Sequence, residues 1–295
     1  MYREFHIMRP DGDFSLSLLR GTGIIIKKPA GRTSGAKLLF KNARGEMDVC
    51  MTPGGTVFIM AQTPGGVIFK ITDSDGVWRR FDVLVPKSGG FHEKKFALCP
   101  SGGEVFAFFS LTAAGKTALM ATTLSKSGRT PAAAARLSSW DAFDGASDGS
   151  FVCAALEDEA GTLSALISEP SRKKTGLIPL LSGGGFSNIR VRLQRGALFT
   201  AFIRGGRVFL IQTDIRARVT REIRDMGEAA PGARMAFSIK DGAPVVYLVS
   251  ENKLVTVRCG GRSRAAVRSE TDLTGLGARE IKRVYPGECE TETVI

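Results

Sequence analysis

The sequence predicts an all-β fold: six blades of four antiparallel strands each. Three observations predict it: a turn that recurs at a fixed distance, a four-strand unit that recurs along the chain, and strands that are apolar on both faces. The turn is Thr-Pro-Gly-Gly, at 52–55 and again at 63–66, eleven residues on. Proline presets φ near −65°, and glycine takes the positive φ that a type II turn requires. Between the two turns lie Thr56 to Gln62, rich in residue types that favour a pleated surface. Nearly all are apolar, so a strand here is covered on both faces.

The second unit is the clearest. Met47–Met51, Thr56–Gln62, Val67–Ile71 and Arg80–Val85 are four strands, the last pair joined by Asp73-Ser74-Asp75-Gly76. The first unit has Phe5–Met8, an Asp11-Gly12 turn and Phe14–Leu19. The third has Phe96–Cys99, Pro-Ser-Gly-Gly at 100–103 and Glu104–Phe109. The fourth has Asp148-Gly149 ahead of Phe151–Leu156. The fifth has Ile189–Leu193, Arg195-Gly196 and Leu198–Ile203; the sixth has Met235–Ile239, Asp241-Gly242 and Pro244–Val249. First strands begin near 5, 47, 96, 142, 189 and 235, a spacing of 42–49 residues. The expected units span about 5–45, 46–90, 92–138, 140–184, 186–230 and 233–277, in one domain.

A sheet with two apolar faces covers them by packing on copies of itself, and closing the array protects its edges. The repeat therefore predicts a six-bladed β-propeller. With Asp-Gly turns joining the first two strands, the chain resembles six-bladed propellers of the NHL or TolB-like kind. The resemblance covers almost the whole chain and is generic. Better-marked families fit less well. Trp140-Asp141 has the form of a WD40 dipeptide but falls between units, and two tryptophans are too few for kelch repeats. Thr72–Trp78 is similar to the Asp-box of sialidase-like propellers, but no other unit repeats it. The tail, 278–295, carries Ile281–Tyr285, Pro286-Gly287 and an alternating Glu288–Ile295. It is expected to close the ring on the N-terminal blade; a seven-bladed ring is the alternative.

A chain of 295 residues in one such domain buries roughly three-quarters of its unfolded surface. The N-terminus lacks the apolar core of a secretory signal, and no stretch approaches 18 apolar residues. Five cysteines without C-x-x-C spacing suit small buried hydrophobes in a reducing compartment, so the expected address is cytoplasmic. Charge is uneven: residues 1–170 carry a net +2 and residues 171–283 a net +13, with 17 arginines among 22 cations. Such an arc suits a nucleic acid or another polyanion; its simpler meaning is a solvated face.

Candidate sites follow from the odd residues in the first strands. Asn188–Arg195 alternates apolar with cationic where its counterparts are apolar, and a period of two puts Arg190 and Arg192 on one face. Either the two arginines pair with Asp141 or Asp144 of the preceding unit, or Arg190, Arg192 and Arg195 form an anion site, with Lys282 and Arg283 of the tail adding to it. Ala113-Ala114-Gly115-Lys116-Thr117 imitates a P-loop, but Ser110 replaces its first glycine and a strand follows, so it is a hairpin turn. The two histidines, His6 and His92, have no partner spacing. Lactonase-like propellers hold a divalent ion with scattered oxygens, for which Asp48, Asp144 and Asn188 are the candidates here. The C-terminal Glu292-Thr293-Val294-Ile295 matches a PDZ-type ligand. The balance favours a non-enzymatic propeller without cofactor or metal, monomeric, binding a protein partner at a rim or channel mouth. Polyanion binding and metal-dependent hydrolysis are the alternatives.

Overall fold

The computed structural model describes residues 2–10, 12–19, 21–28, 35–74, 76–87, 91–124, 130–172, 174–250, 252–259, 266–273 and 279–294. Its strands form six antiparallel sheets, five of four consecutive strands each and the first of four consecutive strands extended by two from the C-terminal tail. The first holds β1 (Tyr2–Ile7), β2 (Phe14–Leu19), β3 (Gly23–Lys27) and β4 (Ala36–Lys41). The second holds β5 (Arg44–Met51), β6 (Val57–Gln62), β7 (Ile68–Ser74) and β8 (Val77–Leu84). The third holds β9 (Phe96–Ser101), β10 (Glu104–Ala113), β11 (Lys116–Thr123) and β12 (Ala132–Leu137). The fourth holds β13 (Phe143–Ser147), β14 (Val152–Glu157), β15 (Leu163–Glu169) and β16 (Lys174–Leu181). The fifth holds β17 (Ser187–Gln194), β18 (Ala197–Arg204), β19 (Arg207–Asp214) and β20 (Val219–Glu228). The sixth holds β21 (Arg234–Lys240), β22 (Ala243–Val249), β23 (Lys253–Cys259) and β24 (Ala266–Asp272).

The chain divides into two compact units, one made of Arg3–Asp141 with Lys282–Cys289 and the other built on Ala142–Ile281. In the first unit, Phe5, Leu16 and Ile24 pack on Val49, Val57, Ile59 and Phe69 of the second sheet. Cys50, Met60 and Ile68 point the other way, onto Phe96, Leu98, Val105 and Phe109 of the third. Alternate residues of β5 thus serve two neighbours, and that requires the near-continuous apolar run. In the second unit, Ile189, Val191 and Phe202 meet Ala155, Leu163 and Ala165 of the fourth sheet. Ala201, Val208 and Leu210 meet Met235, Phe237, Val246 and Val257 of the sixth.

The two Thr-Pro-Gly-Gly turns are bonded identically. Gly55 and Gly66 each donate to the carbonyl of the threonine three residues back, at 2.9 Å. The N–H groups of Thr56 and Val67 reach Thr52 and Thr63 Oγ1, both at 3.2 Å. Gly55 and Gly66 hold φ of 82° and 83°, so the last glycine of each turn is the one with a conformational reason. Elsewhere a two-residue hairpin does the same job, with positive φ at both residues: Ala114-Gly115, Arg195-Gly196 and Asp241-Gly242. The P-loop imitation is therefore a hairpin, with Ala113 opposite Lys116. Asp11 and Asp75, in two further expected turns, lie outside the described residues.

Some boundaries differ from expectation: β1, β5 and β10 run longer, starting at Tyr2 and Arg44 and ending at Ala113. Pro100 and Ser101 belong to β9, opposite Val105 and Glu104, so the third turn shrinks to Gly102-Gly103. β8 starts at Val77, three residues early, because Asp73 and Thr72 pair with Trp78 and Arg79 across the turn. The tail pairs with the N-terminal sheet as expected, through β25 (Arg279–Tyr285) beside β1 and β26 (Glu288–Val294) beside β25. Met8 N–H donates to Val284 O, and Gly287 N–H to Met51 O, each at 2.9 Å. Among the described residues no helix is long and apolar enough to cross a membrane. Cys50, Cys99, Cys153 and Cys259 are buried.

Replacing Gly55 by alanine strains a φ of 82° without creating a clash, whereas Gly54 has no positive φ and space for a methyl. Gly55→Ala is expected to lower stability by about 1 kcal/mol and Gly54→Ala by less than about 0.5 kcal/mol, compared by urea denaturation midpoints.

Candidate functional site

Asp48, Asp144 and Asn188, polar residues of the first strands, do one structural job. Asp48 Oδ2 accepts the backbone N–H of Leu98 at 2.7 Å, and Asp144 Oδ2 that of Val191 at 2.9 Å. Asn188 Oδ1 accepts the N–H of Met235 at 3.4 Å while its amide donates to Ala233 O at 3.3 Å. Each acceptor stands on the first strand of one sheet and binds the first strand of the next. Asn188 does so from a bulge in β17, at a φ of 52° that asparagine tolerates better than most residues. The oxygens considered for a divalent ion thus link sheets. Among the described residues no group of three or more His, Cys, Asp or Glu side chains could hold a metal.

Lys282 of the tail completes the Asp48 site. Its Nζ lies 2.7 Å from Asp48 Oδ1, and both side chains are largely buried. This lysine therefore fastens β25 to the second sheet. Arg283 follows it on β25, half-buried, in the unit that holds Asp48.

Arg190 and Arg192 share a face of β17, as the period of two predicts. Ile189, Val191 and Leu193 are buried toward the fourth sheet, and the arginines alternate with them, half-buried. Cross-strand register continues their rows over the fifth sheet. Arg192 stands opposite Phe199, which is opposite Gln212, which is opposite Glu222; Arg190, Ala201, Leu210 and Arg224 form the adjoining row. Arg195 departs from them, occupying the exposed hairpin turn at a φ of 51°.

The outer ends of those two rows form a cleft of about 230 Å³ against the sixth sheet, lined by Phe199, Leu210, Gln212, Glu222, Arg224 and, opposite, Gly242-Ala243-Pro244 with Cys259. Arg224 and Glu222 meet fork to fork: Nε to Oε1 and a terminal nitrogen to Oε2, both at 2.7 Å. The hydrogen bond to Glu222 raises the Arg224 pKa further, so the pair is ionised and its net charge is zero. Cys259 is buried beneath it with its thiol on Met226 Sδ at 3.5 Å; burial pushes its pKa up, against the opposing pull of Arg224. The cleft escaped the sequence reading because no local motif marks it. Its one legible sign is the alternation in β20, where Glu222, Arg224 and Met226 turn inward between exposed Arg221, Ile223 and Asp225.

Many cations of the basic 171–283 stretch are engaged close to home. Arg207 pairs with Asp225, Arg221 with Asp214, Arg258 with Asp241, and Arg268 and Lys253 with Glu270. Others fill the space above glycines of the preceding sheet. A methyl at Gly176 would lie 2.9 Å from the Arg218 guanidinium, and Arg268 stands over Gly227 while donating to Glu228 O at 3.1 Å.

No family model and no curated protein matches the sequence. Among solved structures, the fungal lectin of Aleuria aurantia, described as a six-bladed β-propeller with fucose recognition, superposes with a TM-score of 0.58 at 8% identity, over 90% of this chain and 93% of that one. The SapL1 lectin in complex with α-methyl fucoside gives 0.52 at 11% identity, over 82% and 86%. A prolyl endopeptidase gives 0.53 at 12% identity over 97% of this chain, but only 49% of its own. At such identities the likeness is one of fold. The chain is a six-bladed β-propeller, with four consecutive antiparallel strands to each blade.

Asp48→Ala leaves the Leu98 N–H and the Lys282 ammonium without their carboxylate. It is expected to destabilise by about 3 kcal/mol or more, and Asp48→Asn by less because the amide oxygen still accepts from Leu98. Asp144→Ala, which deprives the Val191 N–H of its acceptor, is expected to lose about 1–3 kcal/mol. Chemical denaturation of the three variants orders them.

Proposed function

We propose that this chain is a non-enzymatic binding propeller whose ligand is a hydroxyl-rich group of saccharide size, held between the fifth and sixth blades. The observation that carries the reading is the composition of the cleft. The Arg224–Glu222 pair supplies charge-assisted donors and acceptors at no net charge, and Gln212 adds one amide of each kind. Phe199, Leu210 and Pro244 supply apolar contact for the C–H face of a ring. A volume of about 230 Å³ is below the roughly 300–1,000 Å³ of drug-sized sites and suits one ring. Cys259 also lines it, its thiol pKa raised chiefly by burial. Two propellers of similar fold are named as lectins, one solved with a fucoside, and this supports binding rather than catalysis.

The second reading is a protein partner on the blade rim, favoured by the exposed Val219 and Ile223 of β20 beside Arg221. Polyanion binding by the basic arc draws less support, since its cations are so often paired. Isothermal titration with a monosaccharide panel that includes L-fucose, neutral hexoses and uronic acids separates these readings. Saturable binding of a neutral sugar, weakened about tenfold or more by Arg224→Ala, is the expected result. Absence of binding to every member at about 10 mM defeats the saccharide reading and leaves the protein partner.

A further inference from the structure

Every blade ends on an outer strand, and natural sheets protect such edges with charge, proline, short length or bulges. Five outer strands here follow that habit. β12 carries alanines and Arg136, and β4, β16 and β24 each expose one large apolar side chain: Leu38, Leu177 and Val267. β20 exposes Val219 and Ile223, but interleaves them with Arg221 and Asp225, both in ion pairs. The eight-residue β8 is different. Val77 is 51% exposed, Phe81 47%, and Val85, just past the strand, 62%.

Val77, Arg79 and Phe81 alternate on one face of β8, across from Ser74, Thr72 and Lys70 on β7. On the opposite face Arg80 is fully engaged, bonding Asp82 at 2.7 Å and lying 4.8 Å from the ring centroids of Phe40 and Phe69. Arg79 is exposed and, among the described residues, has no hydrogen-bond or ion-pair partner. Phe81 is held in place from beneath by Lys70, whose Nζ lies 5.4 Å from the ring centroid and donates to Leu124 O at 3.2 Å. Among the described residues, the edge thus combines a backbone ladder with no further strand beside it, two apolar contacts at alternate positions and one unneutralised cation between them.

We propose that β8 is a docking edge for an extended segment of a protein partner, which adds to the second blade as a further strand. The alternation sets the partner's pattern: apolar side chains opposite Val77 and Phe81, and a carboxylate opposite Arg79. Main-chain hydrogen bonds provide the affinity, and the Arg79 pair provides register and selectivity. This surface shares no residue with the cleft of the fifth and sixth blades, so each proposal is tested independently.

The probe is an acetylated, fluorescein-labelled heptapeptide in which threonine alternates with valine, aspartate and phenylalanine. Anisotropy is followed for the wild-type protein and for Arg79→Glu and Phe81→Lys, whose side chains are exposed and whose folding is checked by thermal unfolding. Saturable binding is expected, at least about tenfold weaker for Arg79→Glu, and regained by that variant when the peptide carries lysine in place of aspartate. Backbone N-methylation of the peptide is expected to abolish binding, and amide exchange of β8 is expected to slow when the unmodified peptide binds. The proposal is overturned if the peptide does not bind by about 1 mM, or if binding is indifferent to both substitutions.

Discussion

A single side-chain oxygen that closes on a backbone N–H of the next blade is the interaction on which the rest of the structure depends. Apolar faces attract one another without direction, and two pleated sheets slide easily against each other. A hydrogen bond between first strands removes that freedom. Asp48, Asp144 and Asn188 each make it, reaching 50, 47 and 47 residues ahead in sequence. The bond also solves two desolvation problems at once, since a buried carboxylate and a buried N–H are each costly alone. At Asp48 the second carboxylate oxygen takes Lys282, so the same residue that sets blade register also secures the tail.

Sequence made the local chemistry legible and left long-range pairing obscure. Turns could be placed because Thr-Pro-Gly-Gly and Asp-Gly impose their φ values on a few neighbouring residues, whatever surrounds them. Apolar first strands could be placed because a strand covered on both faces has little choice of composition. Pro100 misled because proline usually ends a strand, and here it continues one. The polar residues of the first strands were visible as anomalies, but their bonds to the next blade were not. What could not be read was register. That Phe199, Gln212 and Glu222 stand in one row is a fact of pairing across three strands, and no window along the chain contains it.

Net charge does not by itself locate a site, for a physical reason. Arginine carries a long apolar stem and a planar fork, so it packs over a glycine or an aromatic ring as readily as it greets an anion. Arg218 over Gly176, Arg268 over Gly227, and Arg204 at 5.0 Å from the Phe186 ring centroid are packing elements of adjacent blades. Their charge is then balanced locally or left to solvent. A composition count sees thirteen excess positive charges, whereas much of that stretch is arginine used for its shape.

The same division bears on where in the fold a ligand could be accommodated. Catalysis needs ionisable groups that are close together, partly desolvated and free to change protonation. In these blades the side-chain oxygens of Asp48, Asp144 and Asn188 are engaged in holding the blades together, and Asp48 alone holds both Lys282 and the Leu98 N–H. Stability and chemistry compete for the same atoms there. The outer strands face no such conflict. Their side chains carry little of the interblade core, so a cleft lined by Arg224 and Glu222, or an edge carrying Arg79 and Phe81, can be shaped for a ligand while the fold is left intact.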